Sequence, residues 1–579
     1  MFRSIPAHRF SQCIKELQAK AEYFKASGVI PTLDATFCVA KSDTLVTDDL
    51  REALIAAFDR LKTDQADRPD WHPETNDMVL DLVHPSMYPL VYGRSRVLKD
   101  EVVGVGDAIF RWAGKGDIIP KSERPAEPQR WNADTVPPSF WSDTYQWLPS
   151  NVSFVESGVR FTSYINNLHP IKHAEIYRTI ERLIETALPV WDQCVVRLRM
   201  EPKFGRRDPR FPKPESGKAD DENYDNWEPA GGPAGVPDED VANYNWDEDE
   251  DYNESEFDDD EDREEHKRDV LWRNMRRAVH PSPPEFTLVD RGYEPDQRCK
   301  LRSQFNESGL QIIVKLASIE LTPEKPSYAG GGWHVEGQMN EHIVGTAIYY
   351  LDCENVTASH LEFAAATDDQ VSSDEDWAFV GQDQYHWLEH VFGFENWASA
   401  IQHYGSVETR ERRLLAFPNV FQHRVSAFAL RDKTKPGHRR FVVLWLVDPT
   451  TRIISTANVP PQRADWWLET ALSDFDDARG GGGTTLAQTM PPEVLRLMLE
   501  STADDPATME ELLPKVQTPS RLPNEVLHQI RTEVGDGAGL PMSRREAEGH
   551  REALMKERQA VEKKSSSAVW STSYSFCEH

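Results

Sequence analysis

Three residues of metal-binding type lie in a pattern that could form one site. His334 and Glu336 fall in the segment WHVEG and are separated by a single residue, so in an extended strand their side chains point to the same face. A distal histidine is needed to complete the set, and His423, in the segment FPNVFQH, is the candidate. Two histidines and one carboxylate on one face of an octahedral ion leave positions open for other ligands, which suits non-haem Fe(II) oxygenases.

An arginine precedes the longest purely apolar run of the chain, 441–447. A buried guanidinium without a partner is very costly. Arg439 is therefore expected to contact either a protein carboxylate or the carboxylate of a dicarboxylic cosubstrate, which its planar fork binds in bidentate fashion. Strand alternation places Arg439 on one face with Phe441, Val443 and Trp445, and Arg440 on the other. The choice between the two anions stays open.

These segments, taken together, resemble a known enzyme family. The motifs, in chain order, are WHVEG (333–337), TAIYYLD (346–352), LEF (361–363), RLLAFPN (413–419), QHRV (422–425) and GHRRFVVLW (437–445). Their order and spacing resemble the core of 2-oxoglutarate- and Fe(II)-dependent dioxygenases, nearest in pattern to the prolyl-hydroxylase branch. A longer resemblance, through segments such as HPSMYPLVYG and SYINNLHP, is to a large uncharacterised fungal family of unknown function that contains this core.

The resemblance implies roles for individual residues. By position, the iron ligands are His334, Glu336 and His423, and Arg439 binds the distal carboxylate of 2-oxoglutarate. The family usually has Asp where this chain has Glu, so the strand must accommodate one more methylene. The insertion RDKTKP between His423 and Arg439 lengthens the usual spacing and leaves Arg440 as an alternative anion clamp.

Two further residues are expected on strand 342–351. Thr346 and Tyr350 are candidates to line the cosubstrate pocket, and packing in the core is the equally weighted alternative. The implied activity is hydroxylation of an unidentified protein or small-molecule substrate, with Fe(II), 2-oxoglutarate as cosubstrate and O2, and with release of succinate and CO2. No motif identifies the substrate or the oligomeric state.

A rival motif suggests a zinc peptidase. His386, Glu389 and His390 fit the pattern H-x-x-E-H, in which two histidines and a catalytic glutamate share a helix face. A third zinc ligand should then come from a downstream helix. The chain after His390 instead proceeds to the strands that complete the dioxygenase pattern, so the peptidase is the weaker alternative.

The charge of the chain limits its partners. Its 579 residues carry a formal net charge of −32, which argues against binding to nucleic acid phosphates. No apolar run is long enough to span a bilayer, and the first 20 residues lack the apolar segment of a signal peptide. The 6 cysteines form no C-x-x-C pair, as is typical of reduced thiols. We therefore expect an intracellular protein, cytoplasmic or nuclear, without a membrane partner.

An acidic tract interrupts the chain. Residues 247–265 contain 14 acidic residues and one arginine, and like-charge repulsion predicts disorder there. The tract is either a solvated loop or a docking segment for a basic protein partner. A non-catalytic jelly-roll protein that works through this tract is the second alternative to the dioxygenase.

The elements that must position these residues indicate an α+β fold. Helices are predicted at 47–61, 171–191, 383–404, 491–500 and 543–564, and strands at 194–200, 311–321, 342–351 and 439–447. The predicted units are a mainly helical N-terminal region (1–200), an acidic disordered insert (201–268), a double-stranded β-helix or jelly-roll oxygenase core (269–475), and a Gly linker with peripheral C-terminal helices and tail (476–579).

Overall fold

A computed structural model defines most of the chain. It describes residues 7–33, 38–121, 140–196, 221–246, 259–280, 293–366, 384–393, 395–472, 491–502, 523, 525–526, 540–568 and 570–574. The helices are α1 (Ala7–Ser27), α2 (Asp48–Asp64), α3 (Ala174–Trp191), α4 (Asp238–Asn243), α5 (Asp260–Met275), α6 (Leu301–Gln304), α7 (His386–Phe392), α8 (Ala464–Leu472), α9 (Pro492–Thr502) and α10 (Arg544–Ala568).

Most strands are short, and three long ones form the centre. The strands are β1 (Ile30–Thr32), β2 (Val39–Ser42), β3 (Val79–Val83), β4 (Leu90–Val91), β5 (Arg96–Val97), β6 (Asp117–Ile118), β7 (Tyr145–Gln146), β8 (Ser150–Val155), β9 (Gly158–Phe161), β10 (Trp227–Glu228), β11 (Arg277–Ala278), β12 (Leu310–Leu321), β13 (Ser327–Tyr328), β14 (Ile343–Glu354), β15 (His360–Ala366), β16 (Ile401–Glu408), β17 (Arg413–Pro418), β18 (Gln422–Val425), β19 (Phe428–Ala429) and β20 (Gly437–Val447).

The largest sheet has nine strands, all paired antiparallel. Its order is β1-β2-β17-β14-β20-β12-β8-β9, and β3 pairs with β12 beside β8. The predicted strands 311–321, 342–351 and 439–447 are confirmed as its central members β12, β14 and β20. Their continuous apolar runs are typical of strands that are covered on both faces.

Helices cover one face of this sheet, and a smaller sheet covers the other. On the first face, apolar residues of α2 and α3 pack against alternate residues such as Leu316, Ala347 and Leu444. On the second face, Ile348, Val443 and their neighbours pack against the three-stranded sheet β16-β15-β18. The mixed content of helices and antiparallel sheet confirms the α+β class.

The N-terminal part of the chain contributes strands to the sheet as well as helices. Strands β1, β2, β3, β8 and β9 come from residues 30–161. The predicted helices at 47–61 and 171–191 are confirmed as α2 and α3, and α3 continues through Pro189 to Trp191. One sheet therefore unites residues on both sides of the acidic insert.

Two predictions of secondary structure differ from the structure. The predicted helix 383–404 ends at Phe392, because Gly393 takes a left-handed conformation, and 401–408 form strand β16. The predicted strand at 194–200 is wrong for its first residues, which continue α3 as a wider helical turn over Asp192–Val196; its remainder lies outside the described residues.

The end of the acidic tract is helical. Helix α5 begins at Asp260, inside the segment expected to be disordered. The Asp259 carboxylate accepts hydrogen bonds from the backbone N–H groups of Glu261 and Asp262. Acidic side chains at a helix N-terminus are favoured by the helix dipole, which explains why this end of the tract is ordered. Residues 247–258 lie outside the described residues.

Within the described ranges, no helix is both long and apolar enough to cross a membrane.

Candidate metal centre

The segment that carries His334 and Glu336 runs antiparallel to strand β18. The N–H of His334 donates to the carbonyl of His423 at 3.1 Å, and the N–H of His423 donates back to the carbonyl of His334 at 2.9 Å. Further along, the N–H of Gly331 donates to the carbonyl of Val425 at 2.9 Å. This backbone pairing places two histidines that are far apart in sequence directly opposite each other.

Gly330 allows the segment to approach β18 this closely. Its φ is +93°, and a Cβ at this position would lie 2.6 Å from the carbonyl oxygen of Val425. Any other residue would be strained by the backbone conformation and would also clash with that oxygen. Gly330 therefore has a structural role in placing the candidate metal ligands.

Asn419 fixes the backbone at Glu336. Its Oδ1 accepts a hydrogen bond from the N–H of Glu336 at 2.9 Å, and its Nδ2 donates to the carbonyls of Glu336 and Ile343 at 2.9 and 3.1 Å. In the sequence, Asn419 is only the last residue of the motif RLLAFPN. In the structure, its side chain joins the segment of His334 and Glu336 to the start of β14.

The structure brings the three predicted ligands together. Ligand atoms of His334, Glu336 and His423 all lie within 4.8 Å of one another. The Nε2 of His423 is 3.3 Å from Oε1 of Glu336, and the centroids of the two histidine rings are 4.4 Å apart. The Nδ1 of His334 lies 2.9 Å from the carbonyl oxygen of Gly332. That contact directs the Nε2 lone pair toward the site, as second-shell carbonyls do for metal-bound histidines.

The surroundings give these groups the protonation states that a cation needs. Burial raises the pKa of Glu336, but a hydrogen bond from His423 and the charges of both histidines lower it to about 2. Burial and the neighbouring His334 lower the pKa of His423. The carboxylate is therefore ionised, and the lowered pKa of His423 favours its neutral imidazole; these are the forms that bind metal ions.

The three residues line a large cavity. Its volume is about 810 Å³, and its apolar walls come from both sheets and from helix α10. Aromatic residues in the lining are Phe140, Trp147, Tyr328, Phe441, Trp445 and Trp570. The cavity is within the size range of small-molecule sites.

Arg439 is buried, and none of the described residues gives it a carboxylate partner. It is 2 % exposed, and its guanidinium carbon lies 4.1 Å above the ring of Phe428. Among the described residues, its Nε and Nη1 atoms make no hydrogen bond. Burial raises the pKa of Tyr350, and the positive charge of Arg439 opposes this rise.

Arg440 points to the other face and is fully paired. Its Nε donates to Asp352 Oδ1 at 2.9 Å, and its Nη1 donates to Asp59 at 2.6 Å. The two arginines therefore differ in whether their guanidinium groups are available to bind an anion. Arg440 already has two carboxylates, whereas Arg439 has none among the described residues.

Thr346 and Tyr350 lie on the cavity side of β14 but do not line the cavity. Both are buried, at 0 % and 3 % exposure, and between them Ile348 contacts the open space. The Thr346 hydroxyl makes no hydrogen bond within the described part of the chain. Tyr350 is placed beside Phe441, with ring centroids 6.4 Å apart.

Helix α10 forms a wall of the cavity that sequence analysis missed. Residues Met555, Arg558, Gln559, Val561 and Glu562 line it from this helix. The predicted helix at 543–564 exists, and the Ser543 hydroxyl caps it by accepting from the N–H of Glu546. Its description as peripheral is wrong. The i, i+3, i+4 spacing of the inward residues is the signal that could have revealed a buried face.

A buried ion pair anchors α10 over the site. The Nη2 of Arg558 donates to Glu341 Oε1 at 2.7 Å, and the guanidinium stacks 3.7 Å above the ring of Trp147. Glu341, which is fully buried, also accepts from the backbone N–H groups of Trp147 and Gln338. This carboxylate joins three separate parts of the chain.

The residues of the peptidase motif do not gather at a common site. His386 Nδ1 lies 2.7 Å from Asp221 Oδ2, Glu389 accepts from the N–H of Asn396, and His390 packs edge-on against Trp227. Among the described residues, the clusters with metal-ligand spacing do not include them. The helix packs through Trp387 and Leu388 into an aromatic cluster.

The comparisons with known proteins give a family but no activity. A family model described as "Protein of unknown function (DUF4246)" matches residues 7–470. No curated protein matches the chain. One similar solved structure is procruciferin, an 11S globulin from Brassica napus, with 9 % sequence identity and a TM-score of 0.12. That match covers 37 % of this chain and 34 % of the other, about a third of its length, and a TM-score this low carries no structural argument.

Asn419→Ala tests the role of the amide clamp. The substitution removes three hydrogen bonds that hold the backbone on either side of the metal-binding segment. We expect the affinity for a divalent metal to fall about 10–100-fold, measured by titration calorimetry with Fe(II) under anaerobic conditions. Asn355→Ala is the matched control, because that amide bonds carbonyls in an exposed turn at 432–436. Unchanged metal affinity in Asn419→Ala would contradict the assigned role.

Arg558→Ala tests the anchoring of helix α10. Removal of one partner of a buried ion pair leaves Glu341 as an uncompensated buried charge, so we expect a loss of about 3 kcal/mol in the free energy of unfolding. Urea denaturation measures it. Lys556→Ala is the control, because Lys556 is exposed on the same helix and its loss should change stability by less than about 0.5 kcal/mol. Equal stabilities of the two variants would show that the pair does not hold the helix.

Proposed function

We propose a function for this chain from the geometry of its site. The chain belongs to the family DUF4246, described as proteins of unknown function, so the family gives no activity. The proposal is a 2-oxoglutarate- and Fe(II)-dependent dioxygenase that hydroxylates an unidentified protein or small-molecule substrate and releases succinate and CO2. The observation that carries it is the convergence of His334, Glu336 and His423 on the wall of a large cavity.

The donor set fits Fe(II). Two neutral imidazoles and one carboxylate are the ligands of non-haem iron oxygenases, and this combination leaves coordination positions for other ligands. The cavity lies on the open side of the three residues. The longer Glu336 side chain is accommodated, since its Oε1 reaches within 3.3 Å of His423 Nε2.

The unpaired Arg439 fits the distal carboxylate of 2-oxoglutarate. Its Nε and Nη1 atoms make no hydrogen bond to the described residues, so N–H groups of the guanidinium are available to donate to a carboxylate. Such a carboxylate would compensate a buried charge that has no carboxylate partner among the described residues. Tyr350 stays the second candidate beside this group, because the charge of Arg439 acts on its phenol. Arg440 is unsuitable, because Asp352 and Asp59 already neutralise it.

The remaining residues orient and shield the reactants. When bound, Fe(II) and 2-oxoglutarate supply the oxidising power to hydroxylate a C–H bond. The aromatic wall that includes Trp147, Trp445 and Phe441 excludes water and packs against the substrate. Arg558 and Glu341 keep helix α10 in place over this space.

We also propose that the two packed sheets form a jelly roll. A jelly roll places its metal site between a larger and a smaller antiparallel sheet. The position of His423 on the three-stranded sheet, facing residues of the nine-stranded sheet such as Phe417, is consistent with this arrangement. Metal-binding jelly rolls host several chemistries, so the ligand set and not the fold decides the activity.

An anaerobic titration with Fe(II) and 2-oxoglutarate tests the function directly. The chelated keto acid has a visible absorption band, which we expect in the wild type and not in His334→Ala. Arg439→Ala should keep the band but raise the dissociation constant for 2-oxoglutarate about 10–100-fold, since it loses a charge-assisted pair.

Arg440→Ala is the matched control for the anion clamp. It removes the neighbouring charge on the opposite face, so the dissociation constant for 2-oxoglutarate should change by less than about twofold. Absence of the band in the wild type, with iron not bound, would overturn the dioxygenase proposal. A larger effect in Arg440→Ala than in Arg439→Ala would overturn the assignment of the clamp.

A further inference from the structure

A second polar cluster lies in the wall of the same cavity. It consists of His72, Asp81, His84 and Lys315, and we call it the Lys315 cluster. Its two histidines and its lysine line the cavity. The carboxylate of Asp81 lies behind them, with 0 % side-chain exposure. The sequence analysis assigned none of these four residues to a site.

The contacts within the Lys315 cluster define its charges. Asp81 Oδ2 is 2.6 Å from His72 Nδ1, and Asp81 Oδ1 is 3.9 Å from the ammonium nitrogen of Lys315. Burial raises the pKa of Asp81, but His84, Lys315 and His72 hold it below its usual value. Asp81 is therefore an anion, and it compensates the charge of Lys315 in a buried place.

The arrangement does not fit a metal ion, although the ligand atoms of its three acidic and imidazole members lie within 4.8 Å of one another. The backbone N–H of Ser86 donates to His84 Nδ1 at 3.1 Å, which leaves the proton of the neutral ring on Nε2. A protonated nitrogen cannot ligate a metal, and the Lys315 ammonium would repel a cation.

The cluster instead offers hydrogen-bond donors to the cavity. Lys315 makes no hydrogen bond to any of the described residues, and its distance to Asp81 exceeds hydrogen-bond length. His84 adds one N–H at Nε2. Asp81 Oδ1 accepts no hydrogen bond from the described residues. The N–H groups of Lys315 are therefore not used by this oxygen and can donate to a ligand. Donors with one positive charge, among apolar walls, suit an acceptor group with a single negative charge.

The sheet register separates this cluster from Arg439. Lys315 pairs with Val443 on β20, whereas Arg439 is four residues further along that strand and pairs with Ile319. Four residues of a strand span about 13 Å. Lys315, which lines the cavity, and Arg439 are therefore two separate cationic positions on this face of the sheet.

Lys315 lies at a suitable distance from the metal centre for a substrate. Trp445, whose side chain adjoins Glu336, is the diagonal neighbour of Lys315 across the β12–β20 pair. Diagonal neighbours in a sheet have Cα atoms about 7–8 Å apart. A molecule whose anionic end contacts Lys315 could extend along Trp445 to the metal-binding residues.

We propose that the Lys315 cluster binds a carboxylate group of the primary substrate, which would then be an organic acid with an apolar or aromatic body. Lys315 and His84 Nε2–H donate to the carboxylate, and Asp81 with His72 positions the lysine. That the bound molecule is a substrate rests on the proposed function. The carboxylate could also come from 2-oxoglutarate itself, and the test separates these two sources.

The test uses tryptophan fluorescence of the metal-free protein with two matched probes, phenylacetate and phenylacetamide. They have the same shape and differ in charge. Since Trp147 and Trp445 line the cavity, binding of either should change the fluorescence. We expect the wild type to bind phenylacetate about tenfold more tightly than phenylacetamide, and Lys315→Met to remove this preference.

Two further variants control for folding. Lys315→Met leaves Asp81 without its counter-charge, so the double variant Lys315→Met/Asp81→Asn, which removes both charges, is measured beside it. Both should lose the preference, and Lys315→Arg should retain it. No preference for phenylacetate in the wild type, or a preference that survives in the folded double variant, would overturn the proposal.

The Fe(II)–2-oxoglutarate band then identifies the source of the carboxylate. The dissociation constant for 2-oxoglutarate in Lys315→Met should stay within about threefold of the wild-type value. A loss as large as that in Arg439→Ala would assign Lys315 to the cosubstrate and overturn the inference. A wild type that prefers phenylacetate but gives no band would disprove the dioxygenase and leave the carboxylate site standing.

Discussion

The antiparallel backbone pairing between residues 330–337 and strand β18 is the constraint on which the candidate centre depends. Two reciprocal hydrogen bonds join His334 and His423, and Gly330 is the residue that permits so close an approach. The side chains do not need to find each other, because the backbone register has already placed them opposite. Asn419 then adds the third ligand by fixing the backbone of Glu336.

Three arginines illustrate how partners determine what a charge can do. Arg440 is held by two carboxylates and Arg558 by Glu341 and Trp147, whereas Arg439 has no carboxylate partner among the described residues. A paired cation in a buried position stabilises the fold or positions an element, whereas an unpaired one is costly unless a ligand compensates it. Composition and strand alternation cannot distinguish these cases, since all three are arginines in partly apolar surroundings.

Sequence patterns predicted the parts of this structure that are local or periodic. The strands β12, β14 and β20 follow from continuous apolar runs, and α2 and α3 follow from 3.6-residue periodicity. Ligand chemistry and resemblance predicted that His334, Glu336 and His423 lie together, and the structure shows their proximity. The Lys315 cluster and the inward face of α10 were missed, because their members come from residues 72–84, 315 and 555–562, and only long-range packing brings them together. The helix predicted at 383–404 failed where a single left-handed glycine ended it.

Helix α10 has a consequence for the order in which the protein matures. During synthesis, His334 and His423 leave the ribosome well before Arg558, the residue that secures α10 beside Trp147. The segments that carry the candidate ligands can therefore pair while the cavity still lacks one wall. Docking of α10 is then the step that completes the cavity around them.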